Sequence, residues 1–533
     1  MLNVFTKVNR SKLVYYVLPI LAVFLPLTLL LKDGGVSVFS IAPLVSFLLV
    51  ALFLVVPGII LAQSNETIRS LLLTVIIVFT VCALYFSRGV PIFSWIPFGM
   101  YGFLLLFGII VFLFVWLLRQ KLGEIMLVVF GVFWLTLLFT PTNSENDIEV
   151  QHDGKPLNAA LPRYIHILLD QHIGIEGMSL DGNVDETAYS IELAKKFIKN
   201  GFNVYGRAYT QHNKSLYSIP TILNFSKGEQ PGLFIEEKKF GGTLTQNKLF
   251  KTLTEQGYRI NLYHTNYLDM CDNKNYNFNK CENYKLDKLY DKALGTRNKI
   301  VVILNKLIWS YPLLGGVLYN LAKSSVGVSM GLPDFTILRG DTFSSESLNM
   351  LKKLEADVLQ SQKGQAFFAH IMLPHHPYHF DSECKLTEVV PVRQGNAEYF
   401  AQLQCIQKKI GAFIARLDEK ELVSNSIVII HGDHGSRELS PQPSLNSPPS
   451  KNHISWHSTF YAEHVPGENT SKYNIEPVSV SKLVGRIHGY KTDLVEGSNK
   501  YIYILPNEDI ARDYKFNRTL MPPFLRGKVV KSW

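Results

Sequence analysis

The stretch IVIIHGDHGS, residues 427–436, places a polar turn directly after a run of apolar residues. The apolar run is typical of a buried strand. Asp433 and His434 follow it, between two glycines. One interpretation is a tight turn, since Asp and Gly are common turn residues. The other is a metal site at the end of the strand, because carboxylates and imidazoles both ligate divalent cations.

Two other apolar stretches also end in polar residues. RYIHILL (163–169) is followed by Asp170, and AFFAHIML (366–373) is followed by a segment that contains His375. Strand-like and helix-like stretches alternate throughout this part of the chain, which predicts an α/β domain with a largely parallel sheet and helices on both faces. Ligands bind beyond the carboxyl ends of the strands in such sheets. Polar residues at several strand ends therefore favour a metal site over unrelated turns.

The N-terminal part of the chain predicts a membrane domain over residues 1–141. Five apolar segments there approach the roughly 20 residues that a spanning helix needs. They lie at about 13–31, 38–62, 70–86, 98–118 and 123–141. Six basic residues flank them on one side (Lys7, Arg10, Lys12, Arg69, Arg119 and Lys121), against Lys32 and Arg88 on the other. The positive-inside rule then predicts a cytoplasmic N-terminus, and an odd number of spans places the rest of the chain outside.

The remainder of the chain is predicted to be a polar linker, residues 142–160, and an external domain, residues 161–533. The segment IVVILNKLIWSYPLLGGVLYNL (300–321) is nearly long enough to cross a membrane. A crossing would place Asp170 and Asp433 on opposite sides of the membrane, which is impossible if they form one site. We therefore expect a helical insert on the membrane surface over about 285–335. Burial in the soluble core is the alternative. The net charge of +9 is spread along the chain, which suits a membrane surface and not a nucleic acid.

The cysteines indicate an oxidising compartment. Cys82 lies in the third apolar segment, and the other four follow the linker, as Cys271, Cys281, Cys384 and Cys405. An even number outside the membrane favours disulfides. Of the three ways to pair four cysteines, the nearest-neighbour bridges 271–281 and 384–405 are the simplest. Free buried thiols are the alternative, and the lack of CxxC spacing argues against a zinc–cysteine site.

The segment AYTQHNKSLYSIPTILNF, residues 208–225, contains a candidate nucleophile. Ser215 begins a short apolar run with helical character. A serine at a helix N-terminus beside a metal suits nucleophilic catalysis, because the metal lowers the pKa of its hydroxyl and the free backbone N–H groups favour a phosphate. The alternative is that Ser215 only caps the helix.

Together these features resemble the alkaline phosphatase superfamily in its sulfatase-like branch. In detail they resemble membrane phosphoethanolamine transferases and lipoteichoic acid (glycerol phosphate) synthases, which also have five spans before an external catalytic domain. The Asp-His-Gly marker of the family is matched by Asp433 and His434, and its nucleophile position falls on Ser215, five residues before Pro220 in SLYSIP. The first metal ligand falls on Asp170, where the transferases carry glutamate but sulfatases and phosphatases carry aspartate.

The resemblance implies a set of site residues. One divalent metal is expected on Asp170, Ser215, Asp433 and His434, with zinc first and manganese or magnesium as alternatives. His375 and His457 are expected to contact the substrate phosphate, with His453 as the competitor of His457. Lys214 is a further candidate substrate contact. Ser215 is not followed by the proline and arginine of the C/S-x-P-x-R motif, so sulfate ester hydrolysis through formylglycine is not expected.

The implied activity is a phosphotransfer in a bacterial envelope. A phospholipid donor would give its head group, phosphoethanolamine or phosphoglycerol, to Ser215 and then to an envelope glycan. The enzyme would span the inner membrane with its catalytic domain in the periplasm, and no nucleic acid would take part. Two alternatives stay open: a phosphodiesterase or phosphatase with the same site, and a non-catalytic membrane lipid sensor on the same architecture.

Overall fold

The structure is a computed structural model of the chain. It describes residues 10–87, 99–119, 121–140, 157–181, 184–226, 233–238, 241–271, 276–284, 289–290, 294–324, 338–339, 343–386, 390–391, 395–437, 455–468, 471–490, 500–503 and 512–515. Two compact units are present. The first comprises Met1–Glu145, Asp287–Thr342 and Glu388–Val392, and the second comprises Asn146–Leu286, Phe343–Thr387 and Arg393–Trp533.

The helices are α1 (Arg10–Asp33), α2 (Ile41–Gln63), α3 (Glu66–Ser87), α4 (Gly99–Leu118), α5 (Leu122–Phe139), α6 (Ile175–Asp181), α7 (Val184–Lys199), α8 (Ser215–Leu223), α9 (Lys248–Gln256), α10 (Thr296–Trp309), α11 (Pro312–Lys323), α12 (Phe343–Leu359), α13 (Asn396–Glu419) and α14 (Val480–Ile487). The strands are β1 (Arg163–Leu169), β2 (Asn203–Tyr205), β3 (Ala208–Tyr209), β4 (Ile235–Glu237), β5 (Gly242–Leu244), β6 (Arg259–Thr265), β7 (Leu268–Asp269), β8 (Phe278–Tyr284), β9 (Leu338–Arg339), β10 (Gln365–Ile371), β11 (Val390–Pro391), β12 (Ser426–Gly432), β13 (Tyr461–His464), β14 (Tyr473–Asn474), β15 (Val478–Ser479), β16 (Lys500–Tyr503) and β17 (Arg512–Lys515).

The first unit is built on the apolar helices α1 to α5, which confirms the predicted helical class of the N-terminal part. By length and hydropathy, four helices in the described part of the chain are able to cross a membrane: Lys12–Asp33, Ile41–Gln63, Glu66–Leu84 and Leu122–Phe139. Leu105–Leu118 is a shorter apolar helix. The N-terminal part therefore has the character of a membrane protein.

The helical pair α10–α11 also belongs to the first unit. The two helices meet at a bend of 110°, between Thr296–Trp309 and Leu314–Leu321. Helix α10 packs on α1 and α2, and Tyr311 stacks on Phe79 with 6.3 Å between ring centroids. These contacts place the pair with the apolar helices rather than in the core of the second unit. Its position at a membrane surface stays a prediction.

The second unit contains an eight-stranded sheet in the order β14-β2-β13-β12-β1-β10-β6-β8. Strands β12, β1, β10, β6 and β8 run parallel to one another, whereas β13 pairs antiparallel with both β12 and β2. Side chains of α7, α12 and α13 pack on one face, and side chains of α8, α9 and α14 pack on the other. Because both faces are buried, the central strands are largely apolar along their length instead of alternating between apolar and polar residues. The predicted α/β fold is confirmed.

Both predicted disulfides lie in the second unit. Cys271 bonds to Cys281 and Cys384 bonds to Cys405, with Cα–Cα distances of 6.2 and 4.9 Å. Cys82, in the first unit, is the free cysteine. The nearest-neighbour pairing is therefore confirmed.

Candidate active site and metal centre

The site forms where three neighbouring parallel strands end. Strand β1 lies between β12 and β10, and Leu169 is in register with Gly432 on one side and Ile371 on the other. Asp170 and Asp433 come directly after Leu169 and Gly432. Residues far apart in sequence therefore meet at one edge because the strands pair in parallel register.

Asp170, Asp433 and His434 form a buried cluster of the composition that metals favour. One ligand atom from each, two carboxylate oxygens and one ring nitrogen, lie within 4.8 Å of one another. All three side chains are fully buried. Asp433 Oδ1 accepts hydrogen bonds from the backbone N–H groups of Gln171 and His434, both at 2.8 Å. These bonds orient the carboxylate toward the cluster.

Two oxygens of the cluster lack hydrogen bonds. Asp170 Oδ1 and Asp433 Oδ2 are buried, and neither finds a hydrogen-bond partner in the part of the chain that the structure describes. A buried carboxylate oxygen without a hydrogen-bond partner destabilises the folded protein unless a cation compensates its charge. The donor set of two carboxylates and one imidazole matches that of a zinc or manganese site. The residues present therefore fit the metal dependence of the fold.

The imidazole of His434 presents a lone pair to this cluster. Its Nδ1 lies 2.7 Å from the carbonyl oxygen of Gly435, which only accepts, so Nδ1 carries the proton. Nε2 then lies 3.4 Å from Ser215 Oγ and 3.5 Å from Asp433 Oδ2. Burial lowers the pKa of His434 to about 4, with the positive charge of Arg437 acting in the same direction. A neutral ring with a free Nε2 is the form that ligates metals.

The two carboxyl groups titrate as a pair. Burial, followed by the charge of Asp170, raises the pKa of Asp433 to about 8. Burial alone raises the pKa of Asp170, but the neighbouring imidazoles of His375 and His370 outweigh it and hold that pKa below its usual value. Two buried like charges cannot both persist without compensation, so one proton or one cation must sit between them.

Ser215 is the first residue of α8, and its hydroxyl points into the cluster. The N-cap is Lys214, with extended backbone angles of φ −126° and ψ 130°, so Ser215 is not itself the cap. Ser215 Oγ donates to Asp170 Oδ2 at 3.1 Å. Ser218 on the same helix donates to the carbonyl oxygen of Asp433. This second bond ties the start of α8 to the turn after β12 and holds Ser215 in place.

The residues predicted to contact the phosphate differ in burial and in their hydrogen bonds. His375 is half-buried, with Nδ1 2.5 Å from the carbonyl oxygen of His376, and it acts electrostatically on Asp170. His457 is fully buried, and its Nδ1 donates to the carbonyl oxygen of Thr210 at 2.9 Å. The ammonium of Lys214 lies 5.9 Å from the ring centroid of Tyr217, beside the start of α8. His453 lies outside the described residues.

His370 is a site residue that the sequence analysis did not select. It lies inside the apolar strand β10, fully buried, and its Nε2 is 3.3 Å from Asp170 Oδ2. The same carboxylate oxygen accepts from Ser215. A histidine inside an otherwise apolar strand was the available signal, because burial of an imidazole requires a partner. The ring therefore helps to orient the Asp170 carboxylate.

Tyr399 on α13 supports the strained turn that carries Asp170. Gln171 adopts a left-handed φ of 62°, which is unfavourable for a residue with a side chain. The hydroxyl of Tyr399 donates to the carbonyl oxygen of Gln171 at 2.9 Å and accepts from the N–H of Ile173 at 3.2 Å. The Tyr399 side chain is itself fully buried. These two bonds hold the turn from outside the cluster.

We expect Tyr399→Phe to lower the free energy of unfolding by about 1–3 kcal/mol, because two buried backbone groups lose their partner. Tyr473→Phe is the matched control, since Tyr473 is equally buried and its hydroxyl has no hydrogen-bond partner within the described ranges. Urea unfolding of both variants measures the difference at constant slope. Equal midpoints for the two variants would contradict the role of the Tyr399 hydroxyl.

Comparison with known proteins assigns the family. The sulfatase family model matches residues 162–458, more than half of the chain. The chain belongs to the sulfatase family, within the alkaline phosphatase superfamily. The matched segment contains β1, α8, β10 and β12, and thus every element that contributes to the cluster. No curated protein matches the sequence.

Solved structures with a similar fold are distant. The C-terminal periplasmic domain of EcEptC from Escherichia coli is 12% identical, with 70% of this chain and 96% of that chain covered and a TM-score of 0.40. The phosphonate monoester hydrolase SpPMH from Silicibacter pomeroyi is 14% identical, with 62% and 74% covered and a TM-score of 0.36. A protein in the alkaline phosphatase superfamily from Vibrio parahaemolyticus is 10% identical, with 70% and 85% covered and a TM-score of 0.39.

Proposed function

We propose that this protein is a metal-dependent phosphotransferase that moves a phospholipid head group through a phosphoserine intermediate to an envelope glycan. The position of Ser215 Oγ, 3.1 Å from Asp170 Oδ2 and 3.4 Å from His434 Nε2, carries the proposal. A hydroxyl at a helix N-terminus inside a metal-type cluster suits attack on phosphorus more than it suits helix capping.

The first step transfers the head group to the enzyme. Ser215 Oγ attacks the phosphorus of the donor, a bond forms between them, and the ester bond to diacylglycerol breaks. The hydroxyl proton passes to Asp170 Oδ2, its hydrogen-bond acceptor, and the departing diacylglycerol oxygen takes up a proton from water. A divalent cation on Asp170, Asp433, His434 and Ser215 would supply the positive charge that lowers the pKa of the hydroxyl.

The second step regenerates the enzyme. A hydroxyl of the acceptor attacks the phosphorus of the phosphoserine and releases its proton to water. The bond from phosphorus to Ser215 Oγ breaks, and this oxygen takes its proton back from Asp170 Oδ2. His375 and His457 are assigned to the phosphoryl oxygens, and Arg437 adds positive charge near His434 and His375. Charge stabilisation and positioning would supply most of the rate, as in other phosphoryl transfers.

The membrane part supports a lipid donor. The apolar helices of the first unit are of membrane-spanning type, and an anchored enzyme meets a membrane lipid without diffusing through water. We assign the protein to a bacterial inner membrane with the second unit in the periplasm, where Cys271–Cys281 and Cys384–Cys405 are stable. The head group is phosphoethanolamine or phosphoglycerol.

Mass spectrometry of the peptide that contains Ser215 tests the proposal. The protein is incubated with mixed phospholipids and Zn²⁺ or Mn²⁺ and then quenched in acid. A head-group adduct on Ser215 is expected, and its mass identifies the donor. Head group recovered on the glycan supports a transferase, whereas free head group supports the hydrolase. Absence of both the adduct and diacylglycerol, with metal bound, would overturn the lipid assignment and favour a sensor.

We expect His370→Gln to lower kcat by roughly 10- to 100-fold, because Asp170 loses the ring that orients it. Metal content and KM should change less, since His370 is assigned to neither metal nor substrate. Diacylglycerol release measures kcat and KM. His464→Gln is the matched control, because His464 is also buried in the sheet but contacts Ser426 instead of the cluster. An unchanged kcat in His370→Gln would contradict the role of this ring.

A further inference from the structure

A second cluster of potential metal ligands lies in the same unit. It consists of His264 on β6, Cys271 shortly after β7 and Cys281 on β8. One nitrogen and two sulfur atoms lie within 4.8 Å of one another. His264 Nε2 is 2.9 Å from Cys271 Sγ and 3.8 Å from Cys281 Sγ. His264 and Cys281 are buried, so the cluster is largely shielded from water.

The tautomer of His264 follows from its other contacts. Nδ1 lies 3.0 Å from the carbonyl oxygen of Thr265 and 3.1 Å from that of Leu268. Both oxygens only accept hydrogen bonds, so Nδ1 must carry a proton. Nε2 therefore presents a lone pair to the two sulfur atoms.

A closed disulfide does not satisfy this lone pair. The sulfur atoms of the Cys271–Cys281 bridge carry no hydrogen that they could donate to Nε2. A thiol could donate, and a cation could bind Nε2 and both sulfurs together. The arrangement of the nitrogen is therefore better matched to the reduced pair than to the bridge.

Asn283 adds an oxygen on the same face of the sheet. It pairs in register with His264, and Cys281 lies two residues before it on β8, so the three side chains share one face. Its Oδ1 is buried and has no hydrogen-bond partner in the described part of the chain. This oxygen adds a polar group to the face that carries one nitrogen and two sulfurs, and histidine nitrogen and cysteine sulfur are ligands typical of tetrahedral zinc.

The geometry points to a redox-controlled metal site in which reduction of the Cys271–Cys281 bridge lets both thiolates and His264 Nε2 bind a thiophilic divalent cation such as Zn²⁺. A dithiol supplies the two electrons and two protons that open the bridge, and it becomes a disulfide itself. Binding of the cation then releases the two thiol protons. The inference does not rest on the proposed phosphotransfer.

The position of the cluster links it to the active site. Tyr263 on β6 is in register with Ala369 on β10. The next residue on each strand is a histidine, so His264 and His370 lie side by side on adjoining strands. His370 contacts Asp170. Metal binding at the second cluster would therefore place new charge one strand away from the residue that orients Asp170.

Metal binding to the full-length protein in detergent tests this site. Bound Zn²⁺ is counted before and after treatment with a dithiol, and alkylation followed by mass spectrometry verifies that Cys271 and Cys281 have become thiols. We expect about one further equivalent of Zn²⁺ on reduction. Co²⁺ in place of Zn²⁺ should then show thiolate-to-cobalt charge-transfer absorption, which the oxidised protein lacks.

Matched variants assign the extra metal. In Cys384→Ser/Cys405→Ser, which removes the other bridge, the further equivalent should persist. In His264→Gln it should be lost, while the metal of the Ser215 site and the thermal unfolding of the oxidised protein show that the variant is folded. If His264→Gln does not fold, Cys271→Ser is measured instead and should bind no further metal on reduction. Verified free thiols without extra Zn²⁺ in the parent protein, or a full extra equivalent in His264→Gln or in Cys271→Ser, would overturn the inference.

Discussion

Replacement of Ser215 by alanine is expected to abolish head-group transfer, with a loss of roughly 10³-fold or more in kcat. The variant lacks the oxygen that forms the bond to phosphorus, and no adduct should appear on the peptide. Metal binding should weaken but persist, because Asp170, Asp433 and His434 still provide three ligand atoms. The measurement is release of diacylglycerol, with peptide mass spectrometry of the same samples.

Ser218→Ala is the matched control for this prediction. Ser218 lies on the same helix and is equally buried, but its hydroxyl donates to the carbonyl oxygen of Asp433. Its loss should slow the reaction, because the start of α8 is held less firmly, while the adduct still forms on Ser215. Transfer at the parent rate by Ser215→Ala would exclude Ser215 as the nucleophile.

Replacement of Asp433 by alanine is expected to remove both the bound metal and the activity, again by roughly 10³-fold or more. Asp433 provides an oxygen of the ligand cluster and also accepts the N–H groups of Gln171 and His434, so its loss frees the strained turn as well. Metal content is measured by inductively coupled plasma mass spectrometry, and activity by diacylglycerol release. Asp433→Asn separates the two effects, because it keeps an accepting oxygen but loses the negative charge.

Glu463→Gln is the matched control for the loss of a buried carboxylate. Glu463 lies on β13 of the same sheet, where it contacts Tyr205, Tyr461 and Arg486 instead of the cluster. Its metal content should equal that of the parent protein. Full metal occupancy in Asp433→Ala would show that the cluster is not the metal site.

The backbone around Asp170 explains how its side chain reaches the cluster. Asp170 follows β1 directly, and one of its oxygens contacts both Ser215 and His370. The turn that carries it is brought close to Asp433 by the left-handed Gln171 and the bonds of Tyr399. The short side chain of Asp170 therefore reaches the cluster because the backbone at Asp170 is held close to Asp433.

Much of the fold could be read from apolar patterning. The apolar helices α1 to α5 coincide with long apolar segments, since a span needs an unbroken run of such residues. Strands β1, β10 and β12 coincide with short apolar runs, because helices bury both faces of the sheet. The pairing of Cys271 with Cys281 and of Cys384 with Cys405 follows the nearest neighbours, whose loops of 10 and 21 residues close at low entropic cost.

The sequence by itself predicted the apolar helices, the central strands and the polar residues at the strand ends, and it favoured the nearest-neighbour disulfide pairs, because these depend on local composition and spacing. The tertiary structure decided the further contacts that no local pattern predicts. His370 joins Asp170, and His264 joins two cysteines that lack zinc-finger spacing, because parallel strand pairing aligns residues that are distant in the chain. Tautomers and unsatisfied buried oxygens are likewise properties of that packing, since each depends on which carbonyl or carboxylate lies within hydrogen-bonding distance.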